Sequence, residues 1–276
     1  MRGFRGHIAV CGDIDHNFTE IKRAIEQASE KGADLIVFPE CALTGYPPRD
    51  ISGSERIDPS AVSQALQRLQ DMADSLGIHI IVETIDFADS KYYNRAYIIS
   101  PNQAKHWYGK RALYGWDEDN FRPGNENGIY EINGIKIGMR ICFEVRFPEY
   151  FRELYLENTD LDIVLFYDVA DKDDEARYQM IRGHLITRAV ENVTSVLSVN
   201  AIYPNQTAPT CFISASGTVC RETDKNSESM LIYDYAKREL SFGELGRKRY
   251  SDQLLRLDSE RGAAISDAYA SEGKGQ

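Results

Sequence analysis

The 276 residues include 42% hydrophobic and 11% aromatic side chains, enough for a large core and too apolar for a disordered chain. A net charge of −11 argues against a nucleic-acid backbone as partner. No segment is long enough to span a bilayer, and the start Met1–His7 lacks the apolar run of a signal peptide, so a cytoplasmic protein without membrane association is expected.

The pattern alternates strand and helix. Ile8 to Cys11 reads as a short strand. Phe18, Ile21, Ala24, Ile25 and Ala28 then recur at helical spacing, with Gly32 as a stop. Asp34 to Phe38 reads as a buried strand. Asp58-Pro59 opens a second helix, Asp as cap and Pro in the first turn, which ends at Gly77. Strands follow at Ile78 to Val82, Ala96 to Ile99, Ile135 to Cys142 and Ile163 to Phe166, with a helix from about Pro148 before the last. A longer helix, Asp174 to Asn192, precedes the strand Ser195 to Val199. Thr210 to Asp234 reads as short strands with turns at Ser216-Gly217 and Lys225-Asn226. Apolar strands alternating with amphipathic helices imply an α/β layered fold. No linker interrupts it, so one domain over 1–250 is expected. The polar, small-residue stretch 251–276 reads as a tail, either disordered or packed on a partner chain.

Five cysteines, at 11, 41, 142, 211 and 220, are widely spread and lack a CxxC pair, which fits a reducing compartment better than a disulfide framework. No Cys/His cluster has metal-ligand spacing, so no metal is expected. Three segments carry chemistry. In Phe38-Pro-Glu40 a carboxylate follows an apolar strand and should sit at the sheet rim. Lys110 opens an aromatic loop that ends in Phe121-Arg-Pro-Gly124. In Gly138-Met-Arg-Ile-Cys142 a thiol ends a strand where the chain turns toward a helix. A helix dipole meeting that thiol is expected to lower its pKa.

Together these segments resemble the nitrilase, or carbon-nitrogen hydrolase, superfamily over about His7 to Ser214. Arg146-Phe-Pro-Glu149, Arg188-Ala-Val-Glu-Asn192 and Asn200 also match. Leu43-Thr-Gly-Tyr-Pro-Pro48 is similar to the glutaminase domain of glutamine-dependent NAD synthetases; no synthetase domain follows in this sequence, so a full synthetase is not expected. The resemblance implies a four-layer α-β-β-α sandwich, usually paired into a homodimer or larger homo-oligomer, that needs no cofactor. It implies Cys142 as nucleophile, Glu40 as base, and Lys110 with the Phe143 N–H as oxyanion donors, with Glu118 as a second glutamate positioning substrate or Lys110. The chain departs from its relatives at Cys142-Phe-Glu144 and at Phe166-Tyr167-Asp168. Tyr46, Tyr114, Glu144, Tyr167 and Asp168 are expected to line the pocket. Asp168, with Asp171, either favours a cationic substrate or belongs to a solvated helix start.

The activity this implies is release of ammonia from a small carboxamide or N-carbamoyl compound through a thioester. A nitrilase acting on a small nitrile is the near alternative. An acyltransferase of the lipoprotein branch would need membrane spans. A binding scaffold without activity would have no need of Glu40, Lys110 and Cys142 together.

Overall fold

The computed structural model describes residues 1–5, 9–227 and 231–255. In chain order the first half comprises β1 (Arg2–Arg5), α1 (Ile14–Glu30), β2 (Leu35–Val37), α2 (Pro59–Leu76), β3 (His79–Ala88), β4 (Lys91–Ile99), β5 (His106–Gly109) and α3 (Trp116–Asn120). Then follow β6 (Ile129–Ile132), β7 (Ile135–Ile141), α4 (Pro148–Leu156), β8 (Leu161–Phe166), β9 (Val169–Ala170) and α5 (Glu175–Asn192). The chain continues through β10 (Ser195–Asn200), β11 (Asn205–Gln206), β12 (Cys211–Ile213), β13 (Val219–Glu222), β14 (Ile232–Asp234) and α6 (Phe242–Leu254).

Two six-stranded sheets form, ordered β14-β1-β2-β3-β4-β5 and β13-β12-β10-β8-β7-β6, with β9 and β11 as a separate pair. The strands β1, β2 and β3 run parallel, as do β7, β8 and β10. Each parallel step is bridged by a helix, which is what a crossover needs. Alternation along the strands builds the layers. Leu35 and Val37 face the second sheet, meeting Ile137, Met139, Ile141, Ile163, Leu165 and Leu197. Ile36 faces the other way, onto Phe18, Ile25, Val62 and Leu69 of α1 and α2. On the second sheet Val164 and Phe166 point outward onto Phe151, Leu154, Ile181 and Leu185 of α4 and α5. The result is the expected α-β-β-α sandwich, and each such buried aliphatic contributes about 1.5–3 kcal/mol.

The helix ends follow from their chemistry. The Asp13 carboxylate caps α1 by accepting from the Asp15 and His16 N–H groups, and Asp58 caps α2 by accepting from Ser60. Gly77 closes α2 in the left-handed conformation, φ 66°. One expectation is corrected at the N-terminus. Residues 9–11 are not strand, and Ile8 lies outside the described residues. Arg2–Arg5 take the sheet position instead, because Gly3 lets the chain pass under the Tyr233 ring, where a Cβ would come within 2.4 Å. The expected boundary at 250 falls inside α6, and residues 256–276 of the expected tail lie outside the described residues. Among the described residues no helix is long and apolar enough to cross a membrane.

One buried carboxyl has a testable cost. Asp162 on β8 is fully buried, accepts one hydrogen bond from Thr159 (2.6 Å), and has its second oxygen unpartnered. Burial raises its pKa to about 7, against the smaller lowering pulls of Thr159 and Arg140. Its unfolded value is 3.8, so between about pH 4 and pH 7 the folded state binds more protons than the unfolded one. Stability contributed by this group is therefore greatest at low pH and falls as pH rises through that window. Asp162→Asn removes the penalty. Urea unfolding is expected to give a variant more stable than the native protein at pH 8, by on the order of 3 kcal/mol, with the gap closing toward pH 4.5. A gap that does not depend on pH refutes the account.

Candidate active site

The parallel strands set the site. β7 and β8 run side by side with Ile141 paired to Leu165, so Cys142 and Phe166 leave the second sheet at the same rim. β2 ends at the same place from the first sheet. The Glu40 N–H donates to the Phe166 carbonyl (3.3 Å), and the Tyr167 N–H donates to Glu40 Oε2 (2.8 Å). The carboxylate is thus fastened to the strand beside the cysteine. Loops at the carboxyl ends of parallel strands are where α/β folds gather reactive groups.

Glu40 is fully buried. Its Oε1 accepts from Asn94 Nδ2 (2.9 Å) and from Lys110 Nζ (2.8 Å). Lys110 Nζ also donates to Asp117 Oδ2 (2.7 Å), and Tyr46 OH donates to Asp117 Oδ1 (2.5 Å). Burial alone would lower the Lys110 pKa, but the charges of Glu40 and Asp117 override it and hold the ammonium well above its ordinary value. The Lys110 backbone is clamped too. Its N–H donates to Asn94 O (2.9 Å), and its carbonyl accepts from the Gly124 N–H (3.0 Å). A Cβ on Gly124 would lie 2.4 Å from the Gly109 carbonyl oxygen, so the glycine of the Phe-x-Pro-Gly turn is what lets the loop close on Lys110.

Cys142 heads a 3₁₀ turn, Cys142–Arg146, with φ 46°, and Cys41, next to Glu40, has φ 54°. Left-handed backbone at a residue bearing a Cβ costs about 1–2 kcal/mol, and such strain gathers at functional sites. The expected lowering of the thiol pKa is overturned. Burial pushes the Cys142 thiol well above its usual range, the charge of Glu40 adds to that, and Lys110 opposes it without prevailing. A group that must lose this proton needs a base at the moment of attack. Glu83, buried on β3, is likewise raised well above the carboxylate range, by burial first and then by the charge of Glu40.

Other expected site residues divide. Tyr46 stacks on Tyr167, ring centroids 5.0 Å apart, and Tyr167 OH donates to Asp50 (2.8 Å), so both rings wall the site. Tyr114, 72% exposed, stacks on Phe143 at 5.3 Å. Glu144 does not face a pocket. Its carboxylate accepts from the N–H groups of Ile141 (2.7 Å) and Arg111 (2.7 Å) and from Tyr108 OH, tying the cysteine turn to the lysine loop. Glu118 is exposed, and Asp117 holds the place beside Lys110 that Glu118 was expected to take. The helical register explains this: Phe121 is buried, and its N–H donates to Asp117 O, so Asp117 shares the inward face four residues earlier. Asp168 is buried but already paired, and Asp171 pairs with Arg49. No free carboxylate awaits a cation at either position.

Sequence reasoning missed Asn94 and Asp117. The buried face shared with Phe121 was a usable signal for Asp117. Asn94 lies in the part of β4 that the pattern assigned to no strand. Among the described residues no group of three or more His, Cys, Asp or Glu is placed to hold a metal ion.

Comparison with known proteins agrees with this architecture. Residues 4–240 match the family model for carbon-nitrogen hydrolase. A glutamine-dependent NAD(+) synthetase of Synechocystis sp. is 27% identical over 278 residues, 90% of this chain and 48% of that protein. The chain therefore spans about half that relative's length. A 2-oxoglutaramate amidase of Bacillus subtilis is 28% identical over 198 residues, covering 70% of this chain and 73% of that protein. In structure, an amidase from Nesterenkonia sp. superposes with a TM-score of 0.73 at 24% identity, over 85% of this chain and 90% of that one, which establishes a shared fold. With the family model spanning most of its length and the sandwich in place, the chain belongs to the carbon-nitrogen hydrolase family.

Proposed function

We propose that the protein is an amidase that hydrolyses a small carboxamide through a Cys142 thioester and releases ammonia. The observation that carries this is the buried Glu40–Lys110–Asp117 network at the strand rim where Cys142 emerges. Cys142 Sγ attacks the amide carbon while Glu40 takes the thiol proton. The carbonyl oxygen becomes an oxyanion, which Lys110 and the Phe143 N–H stabilise; one such donor is typically worth about 2.7–4 kcal/mol. The C–N bond breaks as Glu40 returns the proton to nitrogen, and ammonia leaves. Water, deprotonated by Glu40, then attacks the thioester carbon. The acid departs and the thiol is restored.

The raised pKa of the thiol supports a base acting in concert with attack over a resting thiolate. Because Lys110 is held charged, it enters the reaction as a fixed positive group and not as a proton donor. The test is ammonia release from a panel of amides, N-carbamoyl compounds and nitriles, with rapid-quench intact-mass measurement. The expected result is ammonia from amides, with a transient adduct of acyl mass mapped to Cys142. Hydrolysis of nitriles alone, or turnover with an adduct elsewhere, overturns the reading.

A further inference from the structure

Glu83 is a buried carboxyl with no step of its own in the proposed cycle. It lies on β3 opposite Ala96 of β4, and Ala96 lies opposite Tyr108 of β5. Ile81, Ala96 and Tyr108 belong to the layer between the two sheets, so alternation points Glu83 into that layer as well. The segment carrying Glu40 runs alongside. The Phe38 N–H donates to Ile81 O (2.9 Å), and the Leu43 N–H donates to Glu83 O (3.1 Å). Glu83 is fully buried, and neither carboxyl oxygen completes a hydrogen bond among the described residues.

A second orphaned acceptor sits nearby. Asn94 pairs with Ile85, which makes Glu83 and Asn94 diagonal neighbours on one face of the β3–β4 pair. Such neighbours are about 7–8 Å apart, within reach of long side chains. Asn94 Nδ2 donates to Glu40 Oε1 (2.9 Å) and lies 4.0 Å from Cys41 Sγ. A carboxylate accepts only, so that contact fixes which end of the amide faces Glu40. Asn94 Oδ1 is turned away from Glu40, buried, and likewise unpartnered among the described residues. An ionised Glu83 offers it nothing, since both groups would be acceptors. A protonated Glu83 has one O–H to give.

Charge balance favours the protonated form. Lys110 Nζ already faces two carboxylates, Glu40 (2.8 Å) and Asp117 (2.7 Å). Glu144, a further acid in that layer, is met by the N–H groups of Ile141 and Arg111 and by Tyr108 OH. A buried charge without a partner neutralises instead of persisting. Burial first, and then the charge of Glu40, raises the Glu83 pKa well above the carboxylate range; Glu144 adds to the rise, while Lys110 and the Cys41 N–H oppose it.

We infer that Glu83 is a positioning residue for the general base: as a neutral acid it donates a hydrogen bond to Asn94 Oδ1, and Asn94 in turn holds Glu40 in place at the rim where Cys142 emerges. The role of Glu40 rests on the amidase reading above; the bond from acid to amide does not. Donation to Oδ1 polarises the amide and strengthens the bond that Nδ2 gives to Glu40. It also adds no second negative charge beside the base. Glu83 keeps its proton throughout the cycle.

The test is an infrared difference spectrum, native minus Glu83→Gln, at pH 8, where Asp162, with a pKa of about 7, is largely ionised. The native protein is expected to show a protonated-carboxyl C=O band that the variant lacks. Asn94→Ala is expected to keep that band and move it to higher frequency, because the acid has lost its acceptor. In ammonia release, Glu83→Leu is expected to lose about 100-fold in kcat with KM little changed. Glu83→Gln, which still offers an N–H to Asn94 Oδ1, is expected to restore most of that loss. The band and its shift, without ammonia release from any amide, would sink the amidase reading and leave the Glu83–Asn94 bond standing. No such band at pH 8, a band unmoved in Asn94→Ala, or a folded Glu83→Leu as active as native overturns the inference.

Discussion

Glu40→Gln is expected to reduce amide hydrolysis by about 10³-fold or more while making Cys142 easier to alkylate. Positioned general bases contribute about 10²–10⁴-fold, and in the proposed cycle Glu40 handles a proton at three separate steps. Glutamine keeps the shape but places an amide where both carboxylate oxygens now accept, from Lys110 and Asn94 on one side and from the Tyr167 N–H on the other. One orientation sets a donor against the Tyr167 N–H; the other sets it against Lys110 and Asn94. The effect on the thiol has the opposite sign. The charge of Glu40 raises the Cys142 pKa and Lys110 lowers it, so removing the first leaves the second less opposed. The pH profile of iodoacetamide alkylation is therefore expected to move to lower pH in the variant. Hydrolysis within tenfold of native, or a profile moved to higher pH, would show that Glu40 is not the base.

What the sequence disclosed, and what it withheld, follows from the range of the forces involved. Strand runs such as Leu35–Val37 and residues 163–166 are apolar on both faces because each sheet is covered twice, by the other sheet and by helices, and that leaves a local record. Caps such as Asp58 and stops such as Gly77 are local as well. His106–Gly109 was assigned no strand because the run is short, and its strand character comes from pairing with β4. Arg140 carries no local sign of its burial. It is enclosed in β7 because the carbonyls of Asn127 and Tyr150, 13 and 10 residues away, converge on its guanidinium together with that of its neighbour Met139.

The site divides in the same way. Glu40, Lys110 and Cys142 each follow or open a recognisable run, and the sheet brings them to one rim. Partners contributed by other segments were not visible. Asp168 was read either as favouring a cationic substrate or as part of a solvated helix start, because nothing local shows that Arg177, nine residues later, would pair with it. Glu144 was read as pocket lining because nothing local shows that it would accept from the N–H groups of Ile141 and Arg111.

The same reasoning separates two neighbouring acids. Asp117→Ala is expected to cost about 10³-fold in kcat/KM and to destabilise the fold, whereas Glu118→Gln is expected to stay within about threefold of native on both counts. Asp117 is buried and holds Lys110 Nζ at 2.7 Å and Tyr46 OH at 2.5 Å; Glu118 is one residue on and exposed. Lys110 stays charged against burial only because two carboxylates face it, so removing one weakens the positive group offered to the oxyanion. Breaking a buried pair from one side costs about 3–5 kcal/mol because the remaining charge is left without its partner. Asp117→Asn keeps an oxygen for Lys110 and is expected to fall between, about 10²-fold below native. Steady-state kinetics and urea unfolding on the three variants decide the matter. A crippled Glu118→Gln beside an unimpaired Asp117→Ala would mean that the short helix at Trp116–Asn120 turns its other acid toward Lys110 when substrate is bound.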